Sequence, residues 1–571
     1  VFNDQIKLNT RQLLLYLVIF LSVACALYEN YPALINDYIK TDDARANIFW
    51  FHQLIDPELF VNDYLTEYAI FYEATGSYYL YSWASYFINP FLLEKILPIF
   101  LLVICGIFLF LIGNHLSGPY TGLVFALLFI LFPNHNEFFN AGYSRIFAFP
   151  SAIIFIYLLL TQRLVHLIWF LPLTALFYPI VFLINTVCYS LWISIKIIWQ
   201  PIQIPSKKIL IYFFSAMLLS AIFILPKYAM PDSKFGDLLN YQQLVDEPGA
   251  YQQGRNYLLP PQPIHQKIIV EVSHPFVILS FIFILFSLGI SFFRTIPLEF
   301  MLFLISGLIL YELAYLFLLK LYFPYKYFVY SFSMILFFII SYGIGQYIDR
   351  LKILKKQLIA TSILVCSGFI FYGQSLTPAK DMDDFSDNAF LYQYIQTLPK
   401  NALLAATPYM ADNIPLFAAR AVLFNHELAS PWFSTYSKNI RQRINDFYYA
   451  YYSDNSHDLI YFIKKYKVTH LLVNKQDFQQ LDRQRFYINP YNDAIKRRIN
   501  KNREKFYLFK QMDKLAQFQW QDYYLISSDS IISSGSIISS GSIISSGSII
   551  NSGSIIRSNG LTRPDGKREK S

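Results

Sequence analysis

The residues best suited to chemistry stand just after the first apolar run, in Thr41-Asp42-Asp43-Ala44-Arg45. Two adjacent carboxylates at a membrane surface are costly unless solvated, paired or put to use. One can take a proton as general base while the other orients it or binds a cation. The same pair also suits a helix start, with Asp42 as N-cap of a helix over 44–54 and Asp43 favourable in its first turn. Further along, Asn425-His426-Glu427 and Pro431-Trp432-Phe433 group polar and aromatic side chains suited to face a bound ligand. Tyr241-Gln242-Gln243 and Tyr251-Gln252-Gln253-Gly254-Arg255 suit ring stacking and hydrogen bonding to a polar ligand, as they suit any surface loop. The signatures of several other chemistries do not occur. No HExxH supports a zinc protease, and there is no P-loop, nucleophile elbow or dinucleotide fingerprint. Gly343-Ile344-Gly345 lies inside an apolar run and reads as helix packing.

The elements that must position these residues belong to a membrane protein. Of 571 residues, 55% are hydrophobic and 15% charged, against about 25% charged in a soluble domain. The 54 Phe and 45 Tyr suit long apolar helices with interfacial rings. The net charge of +8 accompanies no basic recognition element, so no nucleic-acid partner is expected. Cys25, Cys105, Cys188 and Cys366 all lie in apolar runs and read as small buried hydrophobes. The run 13–28 follows Lys7 and Arg11 and lacks a clear cleavage site, so it is read as a first span rather than a signal peptide.

Further runs at 96–112, 120–132, 147–160, 164–177, 180–199, 209–225, 276–293, 298–319, 327–347 and 358–371 bring the expected total to about eleven spans. The pair flanking Tyr178-Pro179 also reads as one long kinked helix. With the N-terminus cytoplasmic, the basic residues Arg163, Lys207, Lys208, Arg294, Arg350, Lys352, Lys355 and Lys356 all fall inside. Losing one span of the 164–199 pair would break that agreement. The expected fold class is therefore an α-helical multi-pass membrane protein with a C-terminal soluble α/β domain. Its domains are a transmembrane part over 1–373, with a long first outside loop at 29–95, and an extracytoplasmic α/β domain over 374–525. A tail over 526–571 is expected to be disordered, being a repeated SIISSG hexapeptide followed by a basic end.

A single span, a long outside loop opening on an acidic pair, many spans and an outside C-terminal domain together resemble the GT-C superfamily of membrane glycosyltransferases. The stretch DDARANIFWFHQLIDPELFVNDYLTEY, with GYSRIFAFP and LKLYFPYKYF, also resembles a group of uncharacterised bacterial multi-pass proteins of this architecture. The resemblance covers most of 1–525. It implies transfer of a sugar from a polyprenyl-phosphate carrier to an envelope glycan, lipid or protein on the extracytoplasmic face of a bacterial plasma membrane. By position it makes Asp43 the acidic residue of the first loop, with Asp42 as its partner. It makes Glu137 and His135 candidate metal or acceptor ligands, which admits a divalent cation as cofactor. A solvated loop explains those two equally well.

The chemistry so implied asks for cations beside the departing phosphate. Arg145 and Lys326, each at the outside start of a span, fit that role, and each also fits snorkelling to lipid headgroups. The chain departs from the oligosaccharyltransferases of the superfamily in lacking a WWD-type motif, so protein N-glycosylation is not expected. Other classes remain beside the enzyme, namely a lipid-linked sugar transporter or flippase and a non-catalytic assembly protein. A transporter would show internal repeats and mid-span charges, and Glu312 alone stands near a span centre.

Overall fold

The computed structural model describes residues 2–131, 139–199, 206–228, 234–247, 250, 258–261, 263–321, 323–372, 378–379, 381–479, 497 and 505–540. The eleven apolar runs are helical over most of their described residues, with breaks at Gly289 in the run 276–293 and after Leu316 in the run 298–319. Helix α1 spans Phe2–Ile35. The strand β1 (Ile39–Thr41) and four short helices follow: α2 (Ala44–Asn47), α3 (Phe51–Ile55), α4 (Tyr64–Tyr72) and α5 (Thr75–Ala84). Then come α6 (Pro90–Leu116) and α7 (Pro119–Leu131). The ends are set locally. Asn89 accepts from the Phe91 amide ahead of Pro90, and Asp63 accepts from the Thr66 amide at the start of α4.

Among the described residues, six helices are long and apolar enough to cross a membrane, or seven if the pair Ile264–Val272 and Pro275–Leu288, bent by 71°, counts as one span. Three more apolar helices, Pro119–Ile130, Ser144–Leu160 and Leu164–Phe177, are shorter. Thirteen helical residues rise only about 20 Å against a hydrocarbon core of about 30 Å. Outward apolar side chains such as Leu13, Phe20, Phe214 and Leu218 are exposed on the long helices, as lipid-facing positions would be. Helices α6 and α7 cross closely, because a Cβ on Gly113 would meet the Thr121 and Gly122 backbone at 2.6–2.7 Å.

Asp349, at the end of the helix Met334–Arg350, accepts from the Thr121 amide and hydroxyl at the start of α7. At the other end, Gly76 of the first loop abuts Leu176 and Phe177 beside the Tyr178 break, and Trp192 Nε1 donates to Glu299 Oε1 far from it. The helices Leu164–Phe177 and Pro179–Trp199 are separate elements.

The C-terminal region carries a five-stranded sheet in the order β4-β3-β5-β7-β6. These strands are β3 (Leu403–Ala406), β4 (Ala421–Val422), β5 (His470–Asn474), β6 (Ala516–Trp520) and β7 (Tyr523–Ser527). β3 runs parallel to β4 and β5, while β7 is antiparallel to β5 and β6. The same region contains the helices Ala389–Gln396, Ser434–Tyr451 and Ser456–Tyr466. β2 (Met382–Asp384) pairs antiparallel with β1, which stitches this region to the first loop.

Two expectations are corrected. The tail is not disordered from its start, because Ser528–Ser540 is a helix. Ile531 is fully buried in the hydrophobic core and Ser534 Oγ meets the Tyr507 hydroxyl at 2.8 Å, so the first repeat has an anchor. The rest of the tail lies outside the described residues. Of the four free cysteines, Cys105 and Cys188 are buried, but Cys366 is exposed and Cys25 half-buried.

Candidate functional site

The first loop is held against the membrane helices by a chain of specific contacts. Lys40, on β1, pairs with Glu94 of α6 at 2.6 Å, both almost wholly buried. Tyr81 of α5 donates its hydroxyl to the Gly142 carbonyl, and a Cβ on Gly142 would fall 2.6 Å from the Glu94 carbonyl. Glycine is therefore required there for the close approach. These contacts bring the residues after β1 against the turn Ser144–Phe147.

At that meeting point Arg145 Nη1 lies 3.0 Å from Asp43 Oδ2, and the Tyr143 hydroxyl donates to the same oxygen at 3.3 Å. The side chains of Asp43 and Arg145 are 41% and 21% exposed, so the pair is open on one side. The Arg145 guanidinium also lies 5.1 Å from the Tyr143 ring centroid. Burial raises the Tyr143 pKa well above its usual value, which keeps the hydroxyl a donor. Tyr178 and Tyr330 interact electrostatically with Arg145, and their hydroxyls meet at 2.7 Å. Tyr330 sits in a π-turn, Val329–Ser333, a local widening common at working sites.

The capping reading of the acidic pair fails. Asp43 occupies the N-cap position of α2 with no side-chain cap bond, and Thr41 Oγ1 accepts the Ala44 amide instead. The expected helix over 44–54 is two short helices, α2 and α3. Asp42 turns the other way from Asp43. It forms an ion pair with Arg45, and its side chain is 61% exposed.

Arg45 is buried and reaches the C-terminal region, where Nη1 donates to Asn413 Oδ1 at 2.7 Å. Burial alone would lower the Arg45 pKa, and the charges of Asp412, Asp42 and Glu427 outweigh it, so the net shift is upward. His52 of α3 bonds the Leu416 carbonyl at 2.7 Å and ties the loop to the same region.

The structure thus unites Asp43 with Arg145. Lys326 is half-buried on the one-turn helix Pro324–Phe328, one turn before Tyr330 in the same helical run. His135 and Glu137 lie outside the described residues. Sequence reasoning missed Tyr143, Lys40 and Glu94. A lysine just before the acidic pair and a glutamate opening an apolar run were signals that two buried charges need each other. The group Asn425-His426-Glu427 does not present an open face, because Asn425 and Glu427 are buried. Among the described residues, the one group of three His, Asp or Glu donors able to hold a metal is Asp412, His426 and Glu427.

No family model matches the chain, and no curated protein matches it. Among solved structures it is similar to the apo oligosaccharyltransferase of Archaeoglobus fulgidus, at 10% identity and a TM-score of 0.49, over 82% of this chain and 70% of that one. It is similar also to the archaeal oligosaccharyltransferase AglB of that organism in complex with an inhibitory peptide and a dolichol-phosphate, at 11% identity and a TM-score of 0.44, over 82% of this chain and 69% of that one. At such identities and scores neither likeness carries an inference about what this chain does.

Proposed function

We propose that the chain is an integral-membrane glycosyltransferase of GT-C type, taking a sugar from a polyprenyl-phosphate carrier on the extracytoplasmic face of a bacterial plasma membrane. The acceptor is an envelope glycan, lipid or protein. In this reading Asp43 is the general base. It takes the proton of the acceptor hydroxyl as that oxygen bonds to the anomeric carbon. The bond from that carbon to the phosphate oxygen breaks, its electron pair leaves with the polyprenyl phosphate, and the anomeric centre inverts. Arg145, with Lys326 as a second cation, stabilises the charge on the leaving phosphate. A phosphate arriving at Arg145 competes with Asp43 for the guanidinium and so frees the carboxylate to act as base. Asp42 positions Arg45.

The observation that supports this reading is the half-open Asp43–Arg145 pair at 3.0 Å, placed where the first loop meets the turn before an apolar helix. The test is mass spectrometry of envelope glycans from a deletion strain complemented with wild type or Asp43→Asn at equal membrane levels. Wild type should restore a glycan that the deletion loses, and Asp43→Asn should not. Full restoration by Asp43→Asn sinks the assignment.

A further inference from the structure

Away from the Asp43–Arg145 pair, the C-terminal region assembles three metal-ligating side chains that the transfer reading leaves unused. Asp412 stands at the junction of the helices Pro408–Ala411 and Asn413–Ala418. His426 and Glu427 come from the segment after β4. One donor atom from each of the three lies within 4.8 Å of the others. His426 Nδ1 and Glu427 Oε1 are 3.4 Å apart. That matches the edge of a tetrahedron whose donors sit about 2.1 Å from a central ion, which is about 3.4 Å.

The set is built rather than incidental. Asp412 Oδ1 accepts the Glu427 amide at 2.8 Å, which fixes the carboxylate relative to the other two ligands. The Tyr409 ring stacks on His426 at 4.6 Å and holds the imidazole plane. Asn425 accepts the Leu428 amide at 2.9 Å and shapes the turn that carries both. Asp412 and Glu427 are 1% and 4% exposed. Buried carboxylates persist only when their charge is met. Arg45 meets it in part, dividing one positive charge among Asp412, Asp42 and Glu427. A divalent ion bound between two carboxylates and a neutral imidazole completes the balance.

We propose that Asp412, His426 and Glu427 form a binding site for a divalent transition-metal ion of the Zn²⁺ or Mn²⁺ kind, next to Arg45 at the seam between the first loop and the C-terminal domain. One imidazole with two carboxylates selects against Ca²⁺, which takes six to eight oxygens. Three protein ligands leave coordination open to water or to a ligand atom. The inference stands apart from the transfer reading, because metal binding is read without any reaction.

The experiment uses the full chain purified in detergent, stripped with chelator and titrated separately with Zn²⁺, Mn²⁺, Ca²⁺ and Co²⁺. About one equivalent of Zn²⁺ or Mn²⁺ should remain bound after gel filtration, raise the melting temperature, and bind at least ten-fold more tightly than Ca²⁺. Co²⁺ should give visible absorption bands that His426→Ala abolishes. His426→Ala and the isosteric Glu427→Gln should each weaken binding ten-fold or more while circular dichroism and elution volume stay unchanged. If a variant loses its fold, competition of Zn²⁺ with Co²⁺ in the wild-type chain, read on those bands, supplies the second measurement. Neither ion binding stoichiometrically, or binding that His426→Ala leaves intact in a folded chain, overturns the proposal.

Discussion

The two faces of the short helix α2 differ in a way their sequence does not suggest. Asp43, at its start, looks to Arg145 and Tyr143 on the membrane side, where the pair stays partly open. Arg45, two residues on, looks to Asn413, Asp412 and Glu427 on the domain side, where it is buried beneath the Phe385 ring at 4.8 Å. An open ion pair keeps its charges within reach of a ligand and contributes little to stability. A buried cation that is hydrogen-bonded and faces buried carboxylates is expensive to remove and suits a joint. The contrast puts the proposed transfer chemistry at the first face and the joint between loop and C-terminal region at the second.

The largest expected effect tests the membrane face. Asp43→Asn removes the proposed base and should lower sugar transfer by about 100-fold or more, within the range of general-base losses. Asp42→Asn, on an exposed side chain paired to Arg45, should cost less than about five-fold, since an exposed ion pair contributes little. Equal losses in initial-rate assays with a polyprenyl-phosphate sugar would erase the distinction between the two carboxylates.

The domain face predicts a change in stability instead. Arg45→Ala leaves Asp412 and Glu427 buried without their shared cation, at a cost of about 3 kcal/mol. That should lower the melting temperature in detergent more than Arg145→Ala does, because Arg145 and its partner are already partly hydrated. The reverse order would place the joint on the membrane side.

The sequence makes the first face legible and the second almost illegible, for a physical reason. Asp43 follows an apolar run directly, and Arg145 opens another, so each sits at a membrane boundary that hydropathy alone locates. The apolar runs are helical apart from breaks such as Gly289 and the residues after Leu316, and three helices fall short of a full crossing. The domain face depends on pairing between distant segments. Arg45 meets Asn413 across 368 residues, and β1 meets β2 through backbone bonds that no side-chain period announces. His426-Glu427 was visible as a pair of polar residues. That Asp412 faces them follows only from how the parallel strands β3 and β4 turn through two short helices between them. The α/β character of this region was legible, but the helical first repeat was not, since Ser-Ile-Ile-Ser-Ser-Gly shows its structure only when Ile531 finds a core.

A third effect, smaller again, comes from pH and concerns the domain face alone. Burial lowers the His52 pKa below its ordinary 6.5, the Leu416 carbonyl bond opposes this, and Arg420 adds to the lowering. The unfolded chain therefore binds this proton more readily than the folded one. The His52 contribution to stability is fully present above about pH 6.5 and is lost as the pH falls from there through the depressed folded value. Melting temperatures between pH 7.5 and 5.5 should drop less steeply in His52→Gln, which keeps a donor for Leu416, than in wild type. An unchanged slope would show that His52 is not part of the joint.

The smallest effect marks where the joint ends. Lys400, at the rim of the C-terminal region, reaches back to Asp56 at 2.6 Å and Glu58 at 2.7 Å in the first loop. The lysine is 47% exposed and Glu58 77%, so water and salt screen the contact. Hydrogen bonds from Lys400 and from the Glu58 amide lower the Asp56 pKa, so the pair is formed at neutral pH and weakens in acid. Lys400→Met should shift the melting temperature slightly in low salt and not at all near 1 M, where the Debye length is about 3 Å. Arg45→Ala should keep most of its effect in the same salt, because its partners are buried. A Lys400 effect that survives high salt would mean that the rim is drier than its exposure implies, and that the joint between loop and domain extends beyond the Arg45 cluster.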